Sequence, residues 1–312
     1  MRLHLNKDLF KAIILQVEKL SGLTADIIEK DYFVTLVLKE LSQMQHSVKA
    51  YFKGGTALYK AIGKIKRFSE DIDLTVDISD LTTNQARKRL EKSAYEYSLK
   101  LNKKDEVHSE RKGSITAVYD YESAFHADSR EELQRFEKVL VEATSFTVSE
   151  PTEKYIIAPL IYDLTNEQNK KILSEQFAVS PFGVETITLE RIFVDKIFAT
   201  EFYFQRKSWF DVAKHAYDLT VLSGLKNIQL LLDSKEQLGY LVSLKRREEL
   251  SRKGGISEDL KITDFTYFRG LAANSDFQTA YKNMQSKYVF SKEDLININE
   301  VIKTVSGLKD RF

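Results

Sequence analysis

The chain has 312 residues, 43% of them hydrophobic, a formal net charge of +1 and no cysteine. That length and apolar content fill a large core divided between two domains. The absence of cysteine excludes disulfides and thiolate zinc sites, and the near-neutral charge excludes a global electrostatic pull on nucleic acid.

From Asn6 to about Gln43, apolar residues recur at helical spacing in two blocks, Leu9-Ile13-Ile14-Val17 and Ile27-Tyr32-Phe33-Leu36-Val37-Leu41, with Ser21-Gly22 as the break. Two helices are predicted there. The longest apolar run near the N-terminus, Ala12 to Leu15, is flanked by charges and is too short for a signal peptide or a membrane span, which predicts a cytoplasmic chain with no membrane partner.

The strand-like run Val48 to Phe52 ends at Gly54-Gly55, after which Thr56 is predicted to cap a helix over Ala57 to Gly63. Glycine permits close approach of the backbone, and free amide groups at a helix start attract phosphate. A turn over Lys64 to Ser69 leads to Asp71-Ile72-Asp73-Leu74-Thr75-Val76, whose alternation reads as a strand with both acids on one face and Ile72, Leu74 and Val76 on the other. Further on, Thr83 to Lys103 reads as a helix, and Ser114 to Tyr121 and Lys138 to Phe146 read as strands that complete a small mixed sheet. Beyond Pro151 the pattern becomes a helical stretch to about Glu175, a short strand over Val184 to Leu189, and almost continuous helix. The three prolines all lie between Pro151 and Pro181 and mark a boundary in the region 150–185. The predicted fold is α+β, with a sheet core flanked by helices over 1–150 and a mainly helical domain over 151–312.

A glycine turn one short helix away from alternating carboxylates points to phosphate chemistry with hard cations. A Walker loop requires Lys followed by Ser or Thr, but Lys60 is followed by Ala61; an EF-hand opening at Asp71 requires Gly and Glu where Val76 and Thr82 stand. A lone Asp-x-Asp also occurs on solvated edge strands, and the upstream glycine pair is what separates the two readings. Ser69 and Arg67 suit phosphate binding or bracing of the turn, with bracing favoured for Arg67, and Lys53 and Lys60 flank the glycines as secondary candidates. The basic clusters Lys64-Lys66-Arg67, Arg111-Lys112 and Lys245-Arg246-Arg247 with Arg252-Lys253 read as solvated surface ahead of RNA contacts.

These residues carry a resemblance. Lys53-Gly54-Gly55-Thr56-Ala57-Leu58 with Lys60, and Arg67-Phe68-Ser69-Glu70-Asp71-Ile72-Asp73-Leu74, resemble the first two motifs of the AbiEii/AbiGii toxin family of nucleotidyltransferases, within the polymerase-beta-like superfamily. Ile28 to Thr35 resembles the family's N-terminal helical signature; Lys196 and Lys214-His215-Ala216-Tyr217-Asp218-Leu219 resemble its third and fourth motifs. The family often has arginine where Lys214 stands and a bulky residue where Ala216 stands.

The resemblance implies transfer of a nucleotidyl group from a nucleoside triphosphate (NTP) to an acceptor hydroxyl. Asp71 and Asp73 would hold magnesium, two ions with manganese as the alternative, and Gly54, Gly55, Thr56 and Ser69 would contact nucleotide. The superfamily pattern also implies a third acid on a neighbouring strand. Glu142, which interrupts the apolar run Val139 to Thr144, is the candidate, with Asp120 in reserve. Lys196 would hold the triphosphate and Asp218 would orient it or bind the base, both contributed to the cleft by the second domain; the plain alternatives are pairing of Lys196 to Thr200 or Glu201 and of Asp218 to Lys214 within their helices. His215 fits a structural or a catalytic role. Further implications are an RNA acceptor such as tRNA, a cognate antitoxin (protein or RNA) from a neighbouring gene, and abortive-infection phage defence. A small-molecule or protein acceptor, or a non-catalytic nucleotide-binding regulator, stay open.

Overall fold

The computed structural model describes residues 1–103, 113–125, 136–252 and 254–312; Arg111, Lys112 and Lys253 of the basic clusters lie outside the described residues. Packing divides the chain into two units: Met1–Ala61, Glu70–Ser145 and Thr152–Thr186 form the first, while Ile62–Ser69, Phe146–Pro151 and Ile187–Phe312 form the second.

In the first unit, α1 (Lys7–Ser21) starts at Asn6, whose side chain accepts from the Leu9 amide, and stops at Gly22 in the left-handed region. It is followed by α2 (Ala25–Val48), β1 (Ala50–Lys53), α3 (Gly54–Lys60), β2 (Ile72–Val76), α4 (Thr83–Tyr95), β3 (Lys100–Leu101), β4 (Ser114–Asp120) and β5 (Lys138–Thr144). Then come β6 (Thr152–Ile157), α5 (Leu160–Asp163), α6 (Glu167–Phe177) and β7 (Phe182–Ile187). The seven strands form one sheet in the order β3-β4-β5-β2-β1-β7-β6. β1–β2, β3–β4 and β4–β5 are antiparallel, and β2–β5 and β1–β7 are parallel, so the sheet is mixed as predicted. Ile72, Leu74, Val139, Val141 and Ala143 are buried and supply its core side, with Ile28, Leu36 and Leu41 of α2 also buried.

Three local expectations are corrected. The predicted helix over Thr83 to Lys103 ends at Tyr95, and the chain turns into the short edge strand β3. The stretch after Pro151 opens with β6, not a helix, because Thr152–Ile157 lies at the sheet edge and exposes Glu153, Lys154 and Ile156. The short helix after β1 begins at Gly54, so Thr56 lies inside it and is not its cap.

The second unit contains α7 (Leu189–Gln205), α8 (Trp209–Ser223), α9 (Lys226–Asp233), α10 (Lys235–Ser251), α11 (Tyr267–Gly270), α12 (Ser275–Tyr288) and α13 (Ile298–Gly307). α8 packs against α7, α9, α12 and α13, with Phe193, Ile197, Leu219, Leu222, Tyr281 and Met284 buried. Two strand-connecting segments join these helices. Residues 62–69 are held by Phe68 N–H donating to the Tyr288 carbonyl at 2.7 Å and Phe290 N–H to the Lys66 carbonyl at 3.1 Å. Residues 146–151 are held by Glu248, which accepts from Val148 N–H at 2.7 Å and pairs with the buried Arg191.

The basic clusters are therefore not uniformly solvated. Lys245 is buried against Glu248 at 3.0 Å and Glu249 at 2.9 Å, and the Arg246 guanidinium donates to the Ser257 and Leu260 carbonyls, while Lys64, Lys66 and Arg247 are exposed. Among the described residues, no helix is long and apolar enough to cross a membrane.

Candidate active site

The sheet register brings the acids of the first unit together. On β2, Asp73 faces Lys53 of β1 on one side and Glu142 of β5 on the other; Glu142 in turn faces Thr116 of β4. Register partners share a face of the sheet, so Lys53, Asp73, Glu142 and Thr116 form one row across four adjacent strands. Ile72 and Leu74 fall on the opposite, buried side. Asp120 lies on the same face as the row but pairs with Lys138, four residues along β5 from Glu142 and thus roughly 13 Å away along the strand. Its side chain accepts from Asn102 at 3.1 Å. Of the two candidates for a third acid, Glu142 is the one placed beside Asp73.

Two carboxylates opposite each other on neighbouring strands repel, which is a cost the fold accepts here. Sequence alternation alone did not reveal the row, since it fixes the face of a side chain but not the neighbour of its strand.

The glycine turn meets this row directly. Gly54 has φ +79°, and a Cβ there would overlap the Asp73 carboxylate, so the position demands glycine for both its backbone angle and its space. Gly55 and Thr56 are buried in the first turn of α3. The Thr56 hydroxyl donates to the Asp71 carbonyl at 2.5 Å, tying the helix to the residue that enters β2. Thr56 thus joins the two motifs through main chain. Asp71 itself lies one residue ahead of β2, half-buried like Asp73. Lys60 points inward, its ammonium 2.5 Å from Asp31 in a nearly fully buried pair. Ser69 is half-buried at the end of the 62–69 segment.

The donor set at Asp71, Asp73 and Glu142 is all carboxylate oxygen, which suits magnesium or manganese and not a soft metal. Among the described residues, no group of three or more His, Cys, Asp or Glu is placed to hold a metal ion, so the three acids do not form a metal site by themselves. An open set fits this cation class, because magnesium is usually held by one or two carboxylates with substrate phosphates and water completing the shell.

The second unit carries a separate charged cluster. Asp218 on α8 is fully buried and accepts from Arg67 twice, at 2.7 Å from Nε and 2.6 Å from a terminal nitrogen, while the Lys196 ammonium of α7 lies 2.9 Å away. Lys196 also meets His215 Nδ1 at 3.1 Å, and the His215 ring stacks on Tyr203. The groups named in the in-helix alternatives have other partners. Lys214 pairs with Asp211 at 2.9 Å, Thr200 bonds the Lys196 carbonyl at 2.7 Å, and Glu201 accepts from Thr266 and Tyr267. Arg67, read in the sequence beside exposed lysines, is buried, and its predicted bracing role matches this bidentate contact.

Burial alone would push the Asp218 carboxyl up, but the Arg67 and Lys196 cations override it and hold the group below the usual carboxylate range. Burial first, and then the Lys196, Lys214 and Arg67 charges, push His215 well below its ordinary value of 6.5. The ring is therefore neutral and its Nδ1 accepts from the Lys196 ammonium. In the unfolded chain the same imidazole takes up a proton near pH 6.5, so stability falls as pH drops below that value. His215→Gln is expected to flatten this decline between pH 6.5 and 5.5 by up to about 1.4 kcal/mol per pH unit, as read by thermal melts across that window.

A mixed-sheet α+β unit that sets a Gly-Gly turn against an Asp-x-Asp strand, with a further acid in register, has the architecture of a nucleotidyltransferase. The chain belongs to the family described as nucleotidyl transferase AbiEii toxin, type IV TA system, whose model matches residues 36–305. Family membership makes it a nucleotidyltransferase toxin of a type IV toxin-antitoxin family, with a nucleotide substrate and an antitoxin counterpart. No curated protein matches. Among solved structures, the chain is similar to MenT4, a nucleotidyltransferase toxin from Mycobacterium tuberculosis H37Rv, at 11% identity and a TM-score of 0.39, over 94% of this chain and 98% of that one.

Proposed function

We propose that the chain transfers a nucleotidyl group from an NTP to a hydroxyl of RNA, with the end of tRNA as the first acceptor to test. An oxygen–phosphorus bond forms between the acceptor hydroxyl and the α-phosphate, the bond to the β-phosphate oxygen breaks, and pyrophosphate leaves. The observation that carries this reading is the Asp73 carboxylate packed on Gly54 with Glu142 beside it in register.

In this reading the amides of Gly54 and Gly55 approach the phosphates, and the Ser69 hydroxyl adds a donor. Thr56 keeps Asp71 against the turn through its carbonyl. Asp71 and Asp73 would hold magnesium, with Glu142 completing the set or taking the acceptor proton. The bound cation would neutralise charge on the triphosphate and on the departing pyrophosphate. For Lys196 we propose a part in handling the triphosphate, with Asp218 keeping its ammonium oriented and the neutral His215 leaving that charge undiluted. The wider setting of this proposal is a cytoplasmic toxin held in check by an antitoxin from a neighbouring gene and acting in phage defence.

Incubation with each labelled NTP, magnesium and total RNA tests the reading: label is expected on RNA with release of pyrophosphate. Label on protein or on a small molecule would replace the RNA acceptor, and nucleotide binding without pyrophosphate release would overturn the transfer reaction. The Asp71→Asn variant is the control, and full transfer by it would overturn the metal assignment, since an amide supplies neither the charge nor the second anionic oxygen.

A further inference from the structure

Three consecutive charged residues on α2, Glu29, Lys30 and Asp31, are 1%, 0% and 1% exposed. Successive side chains on a helix point about 100° apart, so these three reach in different directions and grip different elements. Glu29 accepts from the Ser123 hydroxyl at 2.6 Å and the Ala124 amide at 2.7 Å, just after β4. The Lys30 ammonium donates to the Lys138 carbonyl at the start of β5 and lies 3.7 Å from Glu70, just ahead of β2. Asp31 accepts from Tyr59 at 2.6 Å and Lys60 at 2.5 Å, at the end of α3, and from the Leu160 amide at 2.7 Å, at the start of α5.

Apolar residues of similar volume often stabilise a core as well as a buried ion pair does, so stability alone is a weak reason for three buried charges in a row. Their common property is what they hold. β2 and β5 are parallel neighbours whose register sets Asp73 opposite Glu142. Lys30 bridges the entries of both strands, three residues before Asp73 and four before Glu142. Asp31 fixes the far end of the helix that opens with Gly54 and Gly55. The family match begins at residue 36, and the resemblance of Ile28 to Thr35 to the family's N-terminal signature gives this run no role.

We infer that Glu29-Lys30-Asp31 is a positioning clamp for the acid row and the glycine turn, with Lys30 setting the spacing between the Asp73 and Glu142 carboxylates and Asp31 setting the placement of α3. The inference rests on the metal-dependent transfer proposed above.

The test uses the full chain, Mn²⁺ with a non-hydrolysable NTP analogue as the binding probe, and steady-state transfer. Lys30→Met combined with Glu70→Gln removes both charges of the bridge and strands neither. It is expected to fold, to bind Mn²⁺ at least about ten-fold more weakly, the usual scale for an outer support of a metal ligand, and to lose kcat with little change in KM for NTP. Asp31→Asn is expected to raise KM for NTP and to leave Mn²⁺ binding in place. A folded Lys30→Met/Glu70→Gln chain with unchanged Mn²⁺ binding and kcat would overturn the clamp. If that chain does not fold, Glu70→Gln alone decides, weaker Mn²⁺ binding supporting the clamp and unchanged binding refuting it. Asp71→Asn is run alongside. Retained Mn²⁺ binding and transfer in that variant would refute the metal assignment on which the clamp rests, whereas its loss with no effect at Lys30 and Glu70 would refute the clamp alone.

Discussion

Asp73→Asn is expected to cut nucleotidyl transfer by about 1,000-fold, the effect of removing several kcal/mol of charge stabilisation, while changing the thermal midpoint little. The two readouts separate because Asp73 stands between opposite influences. Lys53 on β1 favours its charge and Glu142 on β5 opposes it. Neutralising it therefore has a small net effect on the fold and a large one on any cation held there. Glu142→Gln sharpens the contrast, since its neighbour across the other side is the uncharged Thr116. That variant is expected to gain a few tenths of a kcal/mol in metal-free buffer while losing transfer. A paired set of melts and rate measurements checks both. If Glu142→Gln lost stability and kept its rate, the acid would be an ordinary solvated strand residue.

The turn, the short helix and the Asp-x-Asp strand were legible because glycine at φ +79° and strict alternation in β2 are local properties of the chain. Face could be read from alternation, and partner could not. That Glu142 and not Asp120 neighbours Asp73 depends on the β2–β5 register, which is fixed by pairing between residues about 70 positions apart. β6 escaped notice because an edge strand has one wet side and tolerates the charges of Glu153 and Lys154. The Glu29-Lys30-Asp31 run looks like any solvated helical stretch until its surroundings close over it, and Arg67 and Lys245 look like members of basic surface clusters for the same reason. Burial of a charge is decided by partners distant in sequence, so composition gives no hint of it. Thr56 shows the complementary error. It has the residue type of a helix cap, but its hydroxyl is used on the Asp71 carbonyl because α3 has already begun at Gly54.

The largest expected loss of stability is at Arg67. Its guanidinium and the Asp218 carboxylate are both buried and joined by two hydrogen bonds, at 2.7 and 2.6 Å. Truncating one partner of such a pair strands the other, at a cost of about 3–5 kcal/mol. Lys196 remains 2.9 Å from Asp218 and keeps part of the compensation, which places Arg67→Met at the lower end of that range. For a unit of this size the melting temperature should drop by roughly 6–12 °C. Arg67→Lys should recover only part of it, because an ammonium cannot reproduce the planar two-bond fork.

The pH dependence gives an independent check with a defined sign. Asp218 titrates below its ordinary value of 3.8 in the folded chain, so its contribution is present above that pH and is lost as pH falls through the depressed folded value. Arg67→Met removes a principal cause of the depression and should make the acid limb of stability shallower than in the wild type. A double-mutant cycle with Asp218→Asn isolates the pair, since Asn no longer needs the cation. Additive losses in the single and double variants would show that Arg67 acts through its packing alone, and a coupling of 1 kcal/mol or more, on the order found for contacting charged residues, would show that the ion pair itself secures the 62–69 segment to α8 within the second unit.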